Sequence, residues 1–319
     1  MTKKVLVTER LAEAGLAVLR DKGCEVDVKL KMTPEELIET VPGYDALIVR
    51  SATKVRKDVI DACPNLKVIA RAGVGMDNID VAYARSVGRT VLNTPNASSV
   101  SVAELALGHM LSVARSLNRS NQQMPLEGET HFADLKKQYS KGRELAGKTL
   151  GIIGFGRIGQ RLAMNAIGIG MKVIFHDPFI TEPKTLELKF FDGQSVKFTL
   201  APSSLDEVLA QSDFISLHVP SQAKPLIGKA EIEKMKPGAI LINAARGGVV
   251  DEAALVEAIE NGKLCGAGLD VFQTEPTPPV ALLMNKAISL SPHIGASTTD
   301  AQNKIGTEIA ENVIIALAQ

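Results

Sequence analysis

Residues 149–177 read TLGIIGFGRIGQRLAMNAIGIGMKVIFHD. Thr149 to Ile153 is an apolar run of strand length without polar alternation, the pattern of a strand covered on both faces. It exits into GFGRIG, which puts Gly154, Gly156 and Gly159 at the spacing of a dinucleotide fingerprint. In that motif Gly154 permits the tight turn from strand to helix, Gly156 lets backbone approach a pyrophosphate, and Gly159 lets the helix pack closely on the strand. The phosphates would rest on free N–H groups at the helix start. A lone Gly-x-Gly-x-x-Gly says little in a chain with 26 glycines, so the context carries the reading. A buried strand precedes the motif, a helical period follows it, and a second strand, Val173 to His176, ends at Asp177, where the fingerprint expects its acidic residue. That carboxylate can accept from a ribose 2′-hydroxyl and would repel a 2′-phosphate, so NAD is expected rather than NADP.

Downstream, DFISLH, AILINA and CGAGLD repeat the apolar, strand-length pattern with polar or glycine-rich exits, which predicts a second wound parallel sheet. Upstream, Val5 to Thr8, Val26 to Leu30, Ala46 to Val49, Val68 to Arg71 and Val91 to Asn93 alternate with segments of helical period, which predicts a first wound α/β domain. A chain of 319 residues accommodates two such domains. Between them, Ser98 to Arg119 reads as one helix too apolar for a solvent-facing surface, a buried connector lying in the interior or at a subunit interface. Leu186 to Leu200 alternates on either side of Asp192-Gly193, which predicts a hairpin with a two-residue turn. Thr298 to Leu317 returns to helical period and is expected to pack on the first domain.

Composition narrows the partners. Hydrophobic residues make up 45% and charged residues 23%, an ordinary globular balance. Lys plus Arg equals Asp plus Glu, 36 against 36, so no net field draws the chain to nucleic acid or an anionic membrane. Cys24, Cys63 and Cys265 lie far apart with no Cys-x-x-Cys spacing, which argues against a disulfide framework or a zinc site and for a reducing cytoplasm. No metal is expected. The start of the chain lacks a signal-peptide pattern, and no apolar run approaches the roughly eighteen residues of a membrane span.

The remaining chemistry should lie at the carboxyl ends of the later strands. Arg246 follows AILINAA and precedes Gly247 and Gly248, so its guanidinium can reach out for a carboxylate. Glu275 sits in FQTEPTPP, and His293 in SPHIGA after another apolar run, Ala287 to Leu290. Each alone is unremarkable. Together they suit an alcohol that loses a proton as hydride leaves the same carbon: imidazole carries the proton, glutamate favours the imidazolium, and arginine binds an adjacent carboxylate. Of the other histidines, His109 falls inside the connector, His131 in a polar loop and His176 beside Asp177. His218, at a strand end, should border the cofactor.

GFGRIG, ILINAARGGVVDEAAL, GLDVFQTEP and SPHIGAST, in that order and spacing, resemble the D-isomer-specific 2-hydroxyacid dehydrogenases over essentially the whole chain. The resemblance implies Arg246, Glu275 and His293 as the catalytic set. It implies further cofactor contacts from Arg157 and Ile158, from His218, Val219 and Pro220, from Ala244, Ala245 and Asp270, and from Gly295 and Ala296, with Arg246 and His293 bordering the nicotinamide. It also implies a discontinuous flavodoxin-like substrate domain, 1–98 and 291–319, a Rossmann-type NAD-binding domain, 99–290, and a cleft between them. A cytoplasmic homodimer acting on a small 2-hydroxy or 2-oxo acid is expected.

Within the family, ALIVRSATKV, RAGVGMDNID and NTPNASSVSVAELA resemble most the branch that oxidises D-3-phosphoglycerate in serine biosynthesis. By that resemblance Arg50 helps bind phosphate, Ser51 beside it is a substrate contact, Val74 and Gly75 contact the substrate carboxylate, and Lys137 and Lys141 are additional phosphate candidates. A regulatory domain is not expected. Hydroxypyruvate, glyoxylate or D-lactate-type reduction stays open, as does a non-catalytic NAD(H)-sensing, corepressor-like role.

Overall fold

The structure is a computed structural model and describes residues 2–318. The chain divides into two compact units, residues 2–99 with 296–318 and residues 100–295. Each holds one parallel sheet, so the expected α/β architecture of two wound domains is what the chain adopts.

In the first unit the strands are β1 (Lys4–Val7), β2 (Glu25–Val28), β3 (Ala46–Val49), β4 (Val68–Arg71) and β5 (Thr90–Asn93), in the order β2-β1-β3-β4-β5. This is the flavodoxin-like order, whose crossovers place helices on both faces. Alternate side chains of the central strands feed two cores. Val5, Val7, Ile48 and Val68 face one side, and Leu6, Leu47, Val49 and Ile69 the other. The helix Thr299–Ala318 seals the first core with Ile305, Ile309 and Val313, each fully buried residue of this kind contributing about 1.5–3 kcal/mol. That helix crosses the helix Glu13–Asp21 at Gly15 and Gly306. A Cβ on Gly15 would stand 2.4 Å from the Gly306 carbonyl oxygen, so only glycine permits the approach.

The second unit contains β6 (Thr149–Ile153), β7 (Lys172–His176), β8 (Lys184–Lys189), β9 (Ser195–Leu200), β10 (Phe214–Leu217), β11 (Ala239–Asn243), β12 (Leu264–Leu269) and β13 (Ile288–Leu290). Six of them form a sheet in the order β13-β12-β11-β10-β6-β7, every pair parallel. The order reverses between β6 and β10, the switch point at which such sheets bind ligands. Phe214–Leu217 and Ala239–Asn243 are buried at every position, as continuous apolar runs require.

Two expectations need correction. The Ser98 to Arg119 connector is not one helix. It runs Ser99–Ala114, Ser116 turns left-handed at φ 52°, and a second helix spans Leu117–Glu127. The backbone N–H of Arg143 donates to the Ala114 carbonyl at 2.9 Å, so a partner distant in sequence takes the place of the next helical turn. The connector's inner face, with Ala103, Ala106 and Met110, is fully buried, whereas Leu111 and Leu117 are exposed. The hairpin β8–β9 likewise forms its own two-stranded sheet, but residues 190–194 separate its strands, and three of them, Phe191 to Gly193, rather than two lie inside the Phe190–Gln194 pair. Phe190 N–H pairs with the Gln194 carbonyl at 2.8 Å, Gly193 N–H donates back to the Phe190 carbonyl, and Gly193 takes φ +86° while Asp192 keeps negative φ. That is a type I turn followed by a left-handed glycine, the other common hairpin solution.

Among the described residues no helix is long and apolar enough to cross a membrane.

Candidate active site

A parallel sheet delivers all its strand ends to one edge, about 4.8 Å apart. At the carboxyl edge of the six-stranded sheet, the order of strands therefore sets out the order of chemistry: His293 after β13, Asp270 and Glu275 after β12, Arg246 after β11, His218 after β10, Gly154 after β6 and Asp177 after β7.

The end at β6 and β7 is built from backbone. Gly154 adopts φ +91°, and a Cβ there would lie 2.4 Å from the His218 carbonyl oxygen. A Cβ on Gly159 would lie 2.3 Å from the Gly154 carbonyl oxygen, whereas Gly156 faces open space. The helix Arg157–Gly168 starts at Gly156 with no side-chain cap, leaving its first N–H groups for an anion. Asp177 binds this turn from the side, accepting Phe155 N–H at 2.8 Å on one oxygen and Phe179 N–H at 2.9 Å on the other. Each oxygen keeps a lone pair, so the carboxylate can still receive a ribose diol. An open glycine cradle, uncapped N–H groups and an adjoining acid fit a dinucleotide. Arg157 is exposed and Ile158 half-buried beside this cradle.

Next along the edge, His218 Nε2 lies 2.9 Å from Ser216 Oγ, and the buried Nδ1 has no hydrogen-bond partner. Burial lowers its pKa to about 4, which keeps the ring neutral near neutral pH. Val219 packs against Gly154, and Pro220 is exposed.

Beyond β11 the turn is held by Asn243, which sequence reading passed over. Its buried carboxamide accepts Ala245 N–H at 3.1 Å and donates to the Arg246 carbonyl at 3.0 Å, fixing Ala244, Ala245 and Arg246 together. Arg246 is half-buried and donates through Nη1 to the Ala245 carbonyl at 2.7 Å. A Cβ on Gly247 would fall 1.8 Å from the Phe272 carbonyl oxygen, so the arginine loop lies directly against the loop that carries Glu275.

Glu275 accepts Phe272 N–H on Oε1 at 3.0 Å and meets His293 Nδ1 with Oε2 at 2.8 Å. The two side chains are 38% and 49% exposed, so the pair is open to a substrate. His293 sits at φ +54°, a conformation few non-glycine residues adopt, and one that sharply redirects the chain after Pro292. Asp270, almost fully buried, accepts Ile294 N–H and Gly295 N–H, both at 2.8 Å, on separate oxygens. A hollow of about 430 Å³ with Phe272, Leu283 and Leu290 in its wall adjoins the Glu275–His293 pair. Glu252 braces the same loop from below, its carboxylate 2.6 Å from Gln273 N–H. Its pKa is raised by burial, and the Asp251 and Glu275 charges add to that rise. Sequence reading missed Glu252 as well.

The proposed substrate residues of the first unit form a separate construction. Glu9 accepts the N–H groups of Arg50, Ala52 and Thr53 at 2.8, 3.1 and 3.0 Å. Burial pushes its pKa upward, but these bonds outweigh it and hold the carboxyl below its ordinary value. Asn78 donates to the carbonyls of Arg50 and Thr53, both at 2.7 Å, while Asn93 donates to that of Val74. Arg50 Nη1 donates to the Arg10 carbonyl at 3.3 Å. Arg10, Lys31 and Arg50 border a hollow of about 370 Å³. Ser51 is exposed, and Val74 and Gly75 are half-buried in the neighbouring turn. Glu9 and Asn78 had no place in the sequence-based set. Lys137 and Lys141 are exposed in and just after the helix Phe132–Gln138. Ala296 opens the returning segment, its carbonyl accepting from Gln302 Nε2 at 2.6 Å.

Comparison with known proteins agrees with this geometry. Residues 107–295 match the model of the D-isomer specific 2-hydroxyacid dehydrogenase, NAD binding domain. The chain is 44% identical to the hydroxypyruvate reductase of Thermotoga maritima, covering 97% of each protein. It is 43% identical to the D-3-phosphoglycerate dehydrogenase of Archaeoglobus fulgidus over 98% of this chain, but spans only 56% of that protein. Among solved structures, the NAD+-bound 3-phosphoglycerate dehydrogenase of Entamoeba histolytica superposes with a TM-score of 0.79 at 30% identity, covering 100% of this chain and 96% of that one. The chain belongs to the D-isomer-specific 2-hydroxyacid dehydrogenase family. It is an oxidoreductase whose cofactor is NAD.

Proposed function

We propose that the chain oxidises D-3-phosphoglycerate to 3-phosphohydroxypyruvate, a reaction of serine biosynthesis, with Arg246, Glu275 and His293 as the catalytic set. The observation that carries the chemistry is the His293–Glu275 pair, 2.8 Å apart at the carboxyl edge of the sheet. The phosphorylated substrate is supported by the three cations, Arg10, Lys31 and Arg50, around the hollow of the first unit.

Bound NAD supplies the acceptor for the C2 hydride. His293 takes the hydroxyl proton through Nε2, the ring nitrogen that Glu275 leaves free. Glu275 fixes the tautomer by receiving Nδ1–H and stabilises the imidazolium that forms. Arg246 holds the substrate carboxylate and draws electron density toward the C2 oxygen as it becomes a carbonyl. Gly154, Gly156 and Gly159, with Arg157 and Ile158, form the pyrophosphate cradle, Asp177 receives the adenosine ribose, and His218, Val219 and Pro220 line the middle of the site. Ala244, Ala245, Asp270 and Gly295 surround its nicotinamide end. Arg50, Ser51, Val74 and Gly75 are the substrate contacts proposed within the first unit, where the turn at Val74 and Gly75 can offer backbone N–H groups to an anion. The three free cysteines support a cytoplasmic location, and the exposed Leu111, Leu117 and Leu126 support a homodimer.

Coverage of the whole Thermotoga maritima hydroxypyruvate reductase favours a second reading, reduction of hydroxypyruvate by NADH. Values of kcat/KM for 3-phosphoglycerate with NAD, and for hydroxypyruvate, glyoxylate and pyruvate with NADH, decide between them. The first reading expects the phosphorylated acid to lead by at least about tenfold. A lead for hydroxypyruvate installs the second, and no turnover on any of them defeats both.

A further inference from the structure

A buried line of hydrogen bonds runs from the connector helix to the segment carrying His293, and the reaction described above makes no use of it. His109, 5% exposed, sets Nδ1 2.9 Å from Ser289 Oγ and Nε2 2.9 Å from Ser291 Oγ. Ser291 Oγ lies 2.6 Å from Asp270 Oδ1, the oxygen that also accepts Ile294 N–H. Glycine at 268 makes room for the line, because a Cβ there would stand 2.5 Å from His109 Cβ.

Counting protons gives the line a direction. The Asp270 carboxylate can only accept, so the single Ser291 hydroxyl proton is committed to it. At 2.6 Å that contact has the length of a charge-assisted bond and prevails over weaker claims. Ser291 Oγ must then accept from His109, which puts the ring proton on Nε2. Burial lowers the His109 pKa, opposed by the Asp270 charge. The ring is therefore neutral at neutral pH and its Nδ1 is an acceptor. Ser289 has one proton and two acceptors in reach, His109 Nδ1 at 2.9 Å and Ser112 Oγ at 3.2 Å, and the shorter contact takes it. Every bond in the line points toward Asp270.

We infer that His109 is a positioning residue: through Ser291 it holds Asp270, through Asp270 the N–H groups of Ile294 and Gly295, and thereby the place and angle of the His293 imidazole. The inference rests on the reading in which His293 moves the proton. The sequence motif around His109 is apolar, and an apolar residue at this position would fill the same space without supplying the donor that Ser291 requires.

Two experiments test it, one of them independent of turnover. Nitrogen-15 NMR of the imidazoles in the cofactor-free protein should show His109 as the neutral Nε2–H tautomer at about pH 7–8, taking up a proton only at a lower pH than an exposed histidine. An Nδ1–H tautomer, or a ring titrating like a solvent-exposed histidine, overturns the inference. In steady-state kinetics His109→Leu and Ser291→Ala should each lower kcat by roughly tenfold, as a small misplacement of a reacting group does. The double variant should be no slower than the slower single one, because both cut the same line. His109→Gln, which restores a donor, should recover part of the loss. Losses that multiply, or a His109→Gln variant no better than His109→Leu, overturn it too. Should His109→Leu fail to fold, Ser291→Ala still decides, because removing that acceptor must shift the His109 ring signals. A wild-type protein inert toward every acid in the panel would sink the dehydrogenase reading and leave the NMR result standing.

Discussion

The two ends of the six-stranded sheet hold their loops in different ways. At β6 and β7 the site is mainly backbone packed on backbone: Gly154 against the His218 carbonyl and Gly159 against the Gly154 carbonyl, with the side chains of Asp177 and Gln160 bonding the turn at Phe155. At β11, β12 and β13 the loops hang on side chains. Asn243 holds the arginine turn, Glu252 holds Gln273, Glu275 holds Phe272, and Asp270 holds Ile294 and Gly295. A cradle for a chemically constant group can be cast in glycine, where an added carbon at Gly154 or Gly159 collides with backbone and Gly156 stays open. Loops that must place an acid, a base and a guanidinium relative to one another need directional bonds, and buried carboxylates supply strong ones to backbone N–H groups.

The largest expected effect separates the two ends. His293→Ala removes the proposed proton carrier and leaves the cradle untouched, so kcat should fall by about 10²–10⁴-fold, the usual worth of a positioned acid–base group. NADH affinity, read by the enhancement of its fluorescence on binding, should change little. A variant that turns over normally removes His293 from the chemistry. One that loses NADH along with activity shows that the two ends are not separable as argued.

How much of this was legible in the sequence follows the same division. The glycine end was readable because sterics dictate residue identity there: Gly154, Gly156 and Gly159 stand at set offsets from a strand and a helix, and each spacing has a local cause. The sheet strands were readable because parallel strands buried on both faces leave unbroken apolar runs, and Ala46–Val49 and Val68–Arg71 fall where the pattern put them. Glu9 was not readable, because the loop it holds begins at Arg50, 41 residues away. Glu252 acts on Gln273 across 21 residues, and His109 on Ser289 across 180. No periodicity links such partners. The break at Ser116 was hidden for the same reason, since the N–H that replaces the next helical turn comes from Arg143. At Asp192-Gly193 the dipeptide suits two- and three-residue loops alike, so local chemistry left the choice to the strand register.

A smaller effect concerns acid. An unfolded histidine titrates near 6.5, whereas His218 in the folded chain does so at about 4. Between those values the unfolded chain holds the extra proton, so stability is complete above the window, falls as pH drops through it, and levels off below. At most about 3 kcal/mol is involved. His109, lowered by its own burial, acts in the same sense. The raised Glu252 acts in the opposite one, because its folded form keeps a proton that the unfolded carboxyl has lost. The difference between wild type and His218→Asn isolates the first contribution. Urea midpoints followed by far-UV circular dichroism suit a chain without tryptophan, and the wild type should lose more stability than the variant between about pH 7 and 4.5. Parallel losses would mean that His218 is no more desolvated than the unfolded histidine.

The smallest effect tests the acid that braces the backbone end. Asp177 has one observed task, receiving Phe155 and Phe179 N–H, and one proposed, receiving the ribose hydroxyls of NAD. Asp177→Asn separates them in large part: the amide oxygen keeps the acceptor for Phe155 N–H in the glycine turn, the bond from Phe179 N–H is given up, and the charge is gone. A phosphate about 4 Å from a half-exposed carboxylate meets a repulsion of roughly 1–4 kcal/mol, the range between bulk water and a protein surface. Removing it should raise kcat/KM with NADP by about tenfold, while the NAD value falls only modestly and the melting temperature drops slightly with the lost Phe179 bond. If NADP gains nothing, the carboxylate is a brace for the glycine turn and nothing more. The choice of cofactor would then rest on the shape of the cradle, and the backbone end would owe even its specificity to backbone.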